Sequence, residues 1–525
     1  MIDENGSRPT QPMASFRNGG CMSERNATAL FVLESGLALG VLGDALFRSS
    51  GLGLNVALWT GLLLFITCHL LRREGRFAFA EAGMFFVMAL FCASGVAWRA
   101  SLLLIFWNLC GICVALVLIA WHGRGKSLRT AGALDYLGAA LLATKDVIVG
   151  TPMLIFRDTA WMDRARSAWV RRAMSIAVGL VFSIPLILIF GLLLAAADSV
   201  FAQVCERIFD VPLDEFFSHV FIVAFLAWIV SGFLRSAAFE TDQKHERSNA
   251  VLSILNLPER SANDVGASWR ETARRSLGIV EIGLPLGLLN LLFLAFVGIQ
   301  FRYLFGGASL VEVTAGLTYA EYARRGFFEL VMVAGLVLPL LWGAQWIMER
   351  SGDRRGERIF RALAVVQLLL VGIIMLSALK RMLLYTDAYG LTASRFYATA
   401  FMCWLAAVFV WFAATVLRGR RARFLYGAAA LWLVLLIALH AINPEGLIVR
   451  VNAARSDFDT AYASTLSDDA VPALVQALPD LVADRRREVT EHLLQKVCRP
   501  SAERADWRNW TIAKWQAARA CARLR

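Results

Sequence analysis

Apolar residues gather along this chain into blocks of 18 or more, the length a helix needs to cross roughly 30 Å of hydrocarbon at about 1.5 Å per residue. Eleven candidate spans follow from the pattern, at about 28–47, 53–71, 78–98, 101–121, 173–197, 217–235, 277–300, 327–348, 361–379, 397–417 and 424–441. An unpaired backbone amide in lipid costs several kcal/mol, so each span is expected to be a helix that satisfies its own amides. The expected fold is therefore all-α: a polytopic helical membrane protein of about 11 transmembrane helices with a small helical C-terminal extramembrane tail. A further block, 133–156, is interrupted by Asp135, Lys145 and Asp146 and reads as an interfacial or re-entrant helix. Pro185, Pro285 and Pro339 fall inside spans and predict kinks, since neighbouring helices can satisfy the freed carbonyls. "GLALG" at Gly36 and "GLPLG" at Gly283 are small-xxx-small patterns that permit close helix contact.

The connections sort by charge. "RREGR" at Arg72, "ERSGDRRGERIFR" at Glu349 and "RGRRAR" at Arg418 are dense in arginine, as are 122–172 and 236–276, whereas "DSVFAQVCERIFDVPLDEFF" from Asp198 has one arginine against five acids. Basic loops stay inside, so eleven spans predict an inside N-terminus and an outside C-terminus. The expected organisation is a polar N-terminus over 1–27, four spans over 28–121, a basic cytoplasmic loop with an interfacial helix over 122–172, seven spans over 173–441, and an extramembrane region over 442–525. Residues 1–27 lack the apolar core of a cleavable signal, which leaves targeting to the first helix. Composition agrees with this class: 18% of residues are charged and 58% hydrophobic, with mean hydropathy +0.58. The net charge of +12 sits in short loops between spans, so it is read as an orientation signal and predicts no nucleic-acid partner.

Three polar stretches are expected on the outer side. "TYAEYARRGFFEL" from Thr318 carries Tyr319, Glu321, Tyr322, Arg325 and Glu329, and as a helix it would set Glu321, Arg325 and Glu329 four residues apart on one face. "KRMLLYTDAYGLTASRFY" carries Tyr385, Asp387, Tyr389, Thr392 and Arg395, and "HAINPEGLIVRVN" carries His440, Asn443, Glu445 and Asn452. Their convergence makes a candidate binding face for a head group, a sugar or a partner, set against the plainer role of aromatic and basic residues as interface anchors. Glu34, Glu81 and Glu281 lie inside spans and are candidates for proton or ion coupling, or for pairing with loop arginines.

No catalytic residue, cofactor or metal site is predicted. The six histidines form no HExxH motif or ligand set with cysteines, and no phosphate-binding loop or G-x-S-x-G is present. "CGIC" at Cys110 and Cys113 lies inside a span, where the pair reads as packing. In the tail, "STLSDDAVPALVQAL" places serines and acids where they would cap the helix that follows. Cys498 and Cys521 are a candidate disulfide if the tail lies outside the cytoplasm.

"LLAAADSVF", "YAEYARRGFFEL", "YGLTASRFY", "INPEGLIVRVN", "LSDDAVPAL" and "DWRNW", in that order, resemble the bacterial inner-membrane family catalogued as domain of unknown function 4153, close to the one numbered 4173. The resemblance implies a multi-pass protein of a bacterial inner membrane, which would make the inside N-terminus cytoplasmic and the outside C-terminus periplasmic, and it transfers no catalytic assignment. It coincides with the outer-face stretches and so adds weight to Glu321, Tyr322, Arg325, Tyr389, Arg395 and Asn443 as binding groups. The leading expectation is a non-enzymatic envelope component that binds membrane lipids or an envelope partner protein. A secondary transporter and a lipid or sugar transferase are the alternatives.

Overall fold

The computed structural model describes residues 15–48, 50–125, 133–159, 213–239, 279–305, 327–351, 354–455, 458–498 and 506–524, and every regular element among them is helical. The long helices are α1 (Ser15–Phe47), α2 (Leu54–Arg73), α3 (Phe79–Trp98), α4 (Leu102–Gly123), α5 (Ala133–Met153), α6 (Leu213–Ala238), α7 (Ile279–Phe305), α8 (Phe327–Ser351), α9 (Arg354–Tyr389), α10 (Ala393–Thr415) and α11 (Phe424–Ile442). Five short ones follow among the described residues: α12 (Pro444–Ala453), α13 (Thr460–Ser464), α14 (Val471–Ala477), α15 (Ala483–His492) and α16 (Ile512–Cys521).

Among the described residues, eight helices are long and apolar enough to cross a membrane: α1, α2, α3, α4, α6, α9, α10 and α11. The protein is a polytopic helical membrane protein. Helices α7 and α8 contribute the apolar stretches Gly283–Ile299 and Leu330–Gln345, while the expected span at 173–197, with Pro185, lies outside the described residues. Helix α5 covers the interrupted block, is not one of the eight, and passes into a π-helical turn over Leu154–Asp158. Pro285 and Pro339 sit within α7 and α8, which remain helical through both.

The chain divides into two compact units, one comprising 1–49, 65–77 and 141–240, the other the remainder. In the first, α1 packs on α6 through the glycines of "GLALG". A Cβ at Gly36 would lie 1.9 Å from Ser231 Oγ, and one at Gly40 would lie 2.6 Å from the Val223 carbonyl oxygen. Without these glycines the backbones could not approach so closely. In the matching "GLPLG" motif a Cβ at Gly287 would meet nothing within 4 Å among the described residues. At the end of the π-helical turn, buried Asp158 accepts from Arg25 at 2.6 Å and from Arg235 at 2.7 Å.

In the second unit, α7 to α11 share one apolar core that includes Leu341, Phe360, Val371, Phe412 and Phe424. Helix α9 is 36 residues long, about 54 Å at 1.5 Å per residue, so it runs well beyond one bilayer's hydrocarbon thickness. Its apolar stripe continues through Ala378 and Met382 with Tyr385 packed alongside. Tyr385, Asp387 and Tyr389 therefore lie on its last turns rather than in the expected loop. The C-terminal region has an apolar core of its own, built from residues such as Val449, Phe458, Leu474, Leu493 and Ala517, and Cys498 is disulfide-bonded to Cys521.

Candidate functional site

The densest buried polar cluster among the described residues joins the C-terminal region to α3, α4, α10 and α11. It begins where α3 turns into α4. Arg99 directly follows α3 in extended conformation, and its guanidinium donates to the His440 carbonyl oxygen from Nε at 3.0 Å and also from Nη2. Its Nη1 lies 3.2 Å from Asp469 Oδ1. The second carboxylate oxygen, Oδ2, accepts from the backbone amides of Ala100 at 2.7 Å and Ser101 at 3.0 Å. Ser101 is the N-cap of α4 and makes no side-chain cap itself. These amides belong to the N-cap and the residue before it, which have no partner within the helix, so a carboxylate from a distant segment holds the entry to α4.

His440, in the last turn of α11, is packed from several sides. Its ring stacks on Trp98 at 5.3 Å and meets Phe91 edge-on at 5.8 Å. Nε2 lies 3.2 Å from Asn108 Nδ2, which also donates to the Leu104 carbonyl at 2.8 Å. Gly95 supplies the room, because a Cβ there would sit 2.6 Å from both Asn108 Oδ1 and His440 Nε2. Ser101 Oγ is 3.1 Å from the Tyr397 hydroxyl, which brings α10 into the cluster.

Asn443 makes the turn from α11 into α12 in a single residue. It adopts φ 54°, a left-handed conformation that asparagine tolerates better than most side chains, and Pro444 then opens α12 with its φ already suited to a helix. The Asn443 side chain accepts from the Gly446 amide at 3.2 Å and donates to the Asp469 carbonyl at 2.9 Å. Glu445 accepts from the Ser467 amide at 2.6 Å and hydroxyl at 2.7 Å. "INPEG" and "LSDD" thus fold onto each other. The expectation that the serines and acids of "LSDD" cap the helix after them is corrected here: α14 begins at Val471 with no side-chain cap, because Asp469 is turned toward α4 and Ser467 toward Glu445.

The cluster is closed. Asn108 and His440 are 0% exposed, Ser101 2%, and Asp469 and Tyr397 3%, so nothing larger than a water could reach it without movement. Burial pushes the Asp469 carboxyl above the usual carboxylate range, against the opposing pull of Arg99 and the Ala100 amide.

A second layer lies alongside. Asn452 accepts from the Leu391 amide at 2.8 Å and donates to the Leu391 carbonyl at 2.7 Å, pinning the loop between α9 and α10. Arg455 donates to the Asp387 and Ala388 carbonyls at 2.8 and 3.1 Å. Arg395 stands 3.9 Å over the Tyr385 ring and donates to the Tyr389 carbonyl at 3.2 Å. The Tyr462 hydroxyl accepts from the Ala393 amide at 2.7 Å.

The stretches carrying Asp387, Tyr389 and Arg395 and carrying Asn443 therefore meet through Asn452 and Arg455. Tyr319, Glu321, Tyr322 and Arg325 lie outside the described residues, as do the side chains of Glu329 in α8 and Glu281 in α7. Glu34 is exposed on α1, and Glu81 lies 3.6 Å from His122. Cys110 and Cys113 are free thiols. Sequence reasoning missed Arg99, Asn108, Tyr397 and Asp469 as members of one cluster. The available signal was an arginine at the mouth of a tight span-to-span turn, "WRAS", where a buried cation requires a partner.

A family model described as "Domain of unknown function (DUF4153)" matches residues 85–477, which include every residue of this cluster. No curated protein and no solved structure matches the chain.

Proposed function

The chain belongs to the DUF4153 family, and from its geometry we propose that it is a non-enzymatic component of a bacterial inner membrane whose C-terminal region is a rigidly mounted platform for a partner protein or lipid. The closed Arg99–Asp469–His440 cluster carries this reading. The groups with most chemical potential are buried and engaged in holding helix ends together, which leaves the outer surface of the mounted region for recognition. The disulfide between Cys498 and Cys521 supports a tail outside the cytoplasm, since such bonds persist in oxidising compartments, and the arginine-rich alternate loops agree.

Mass spectrometry of the tagged protein, extracted gently from its own membrane, tests the proposal. A partner protein or defined lipid at near-stoichiometric amount is expected, and Arg325→Glu should release a partner protein while leaving the fold intact. A protein that purifies alone, with no effect of the reversal, would sink the idea. Secondary transport is a second reading, favoured by Glu81 lying 3.6 Å from buried His122 on the adjacent span. It requires Glu81→Gln to abolish pH-dependent uptake in vesicles, and unaltered uptake would exclude coupling through that pair.

A further inference from the structure

Residues 506–524 place three tryptophans on the surface: Trp507, Trp510 and Trp515 are 58, 41 and 44% exposed, so none of them belongs to the apolar core. Helix α16 divides sharply. Ala513, Ala517, Ala520 and Cys521 face inward, while Trp515 and Arg519, four residues apart, share the outer face with the guanidinium 4.0 Å over the indole ring.

The height of this stretch is set by a spanning helix. The Trp510 carbonyl accepts from the amide of Leu54, the first residue of α2, at 3.0 Å. A Cβ at Gly53 would lie 2.6 Å from the Asn509 carbonyl carbon and 2.7 Å from the Trp510 oxygen. Asn55 locks the same turn by accepting from the Gly53 amide at 2.8 Å. Residues 509 and 510 are thus held at the end of a membrane span. Charge adds a direction: residues 506–524 contain Arg508, Lys514, Arg519 and Arg523 against Asp506 alone, four minus one for a net +3.

We propose that this stretch is an interfacial anchor that inserts Trp507, Trp510 and Trp515 at head-group depth and holds anionic phospholipid beside Arg519. An indole is amphipathic and gathers at the bilayer–water boundary, and basic residues near a surface draw anionic lipid to it. The inference rests on α2 as a span, not on the partner reading above.

Photo-crosslinking of the full chain in nanodiscs tests it. Benzoylphenylalanine replaces Trp510 or Trp515, with Phe65, 69% exposed on α2, as the lipid-facing control and Val482, 69% exposed in the C-terminal region, as the water-facing one. Lipid adducts are expected at 510, 515 and 65, and none at 482. Changing phosphatidylcholine discs to ones containing phosphatidylglycerol should raise the yield at 515 about fivefold, and Arg519→Gln should remove that rise. An intact Cys498–Cys521 bond reports that each variant has folded. Absence of lipid adducts at both 510 and 515, or protein adducts there in native membranes, would overturn the anchor. Equal yields in the two lipids would overturn the anionic preference.

Discussion

Between α1 and α6 the close approach depends on missing atoms: a methyl group at Gly36 or Gly40 would fall within 2.6 Å of the facing helix. Around α4 the join depends on added ones, a guanidinium and a carboxylate that reach across some 370 residues of sequence. Lipid tails are as apolar as leucine, so burying apolar surface does little to hold helices together in a bilayer. Backbone proximity and satisfied polar groups remain as the two sources of specificity. The glycine contact tolerates no addition, and the charged one tolerates no subtraction of a single partner.

Removing one partner of the clasp should have the largest effect. Arg99→Ala or Asp469→Ala leaves a buried charge uncompensated, and each should cost about 3–5 kcal/mol, seen in unfolding of the detergent-solubilised protein. Gly36→Ala and Gly40→Ala should each cost about 1–3 kcal/mol through overpacking, and a loss below about 0.5 kcal/mol at both would mean that α1 and α6 are not so close. Replacing both clasp charges, with Arg99→Met and Asp469→Leu together, should come out near neutral or mildly stabilising. A double variant as unstable as the singles would show that the pair contributes net stability beyond fixing the join.

The pH dependence separates the clasp from the C-terminal tip. Burial raises Asp469, so its stabilising contribution is fully present below about pH 4 and is lost as the pH rises through the folded value. The Arg508 side chain and amide lower Asp506 to about 2, so its contribution is present above about pH 4 and is lost as the pH falls toward 2. The Asp→Asn variants should remove these opposite slopes from stability–pH profiles.

The eight spans among the described residues were legible because their signal is local, an apolar run of sufficient length, and the "GLALG" contact was legible as a motif. Two other readings went astray for physical reasons. Lys380 and Arg381 ended the apolar count of the ninth span, yet the helix continues to Tyr389 because Ala378 and Met382 keep one apolar face in the core. "LSDD" has the composition of a local cap, and a carboxylate that caps its own helix cannot be told by composition from one that holds the entry to another. Only the fold brings Asp469 to Ala100. Asn443, expected as a binding group, closes a turn with its side chain and holds the Asp469 segment.

The hold of Asp469 on the entry to α4 also sets an order for synthesis. The amide of Ala100 leaves the ribosome 369 residues before the carboxylate that receives it, an interval of about 20–70 s at ~5–20 residues per second. Through that interval the entry to α4 waits without its carboxylate, which would mark the nascent bundle to a membrane protease as unfinished. Chains stopped just before Asp469 should disappear faster in a pulse–chase than chains stopped after α14, and equal lifetimes would refute this. A segment made late would then certify one made early.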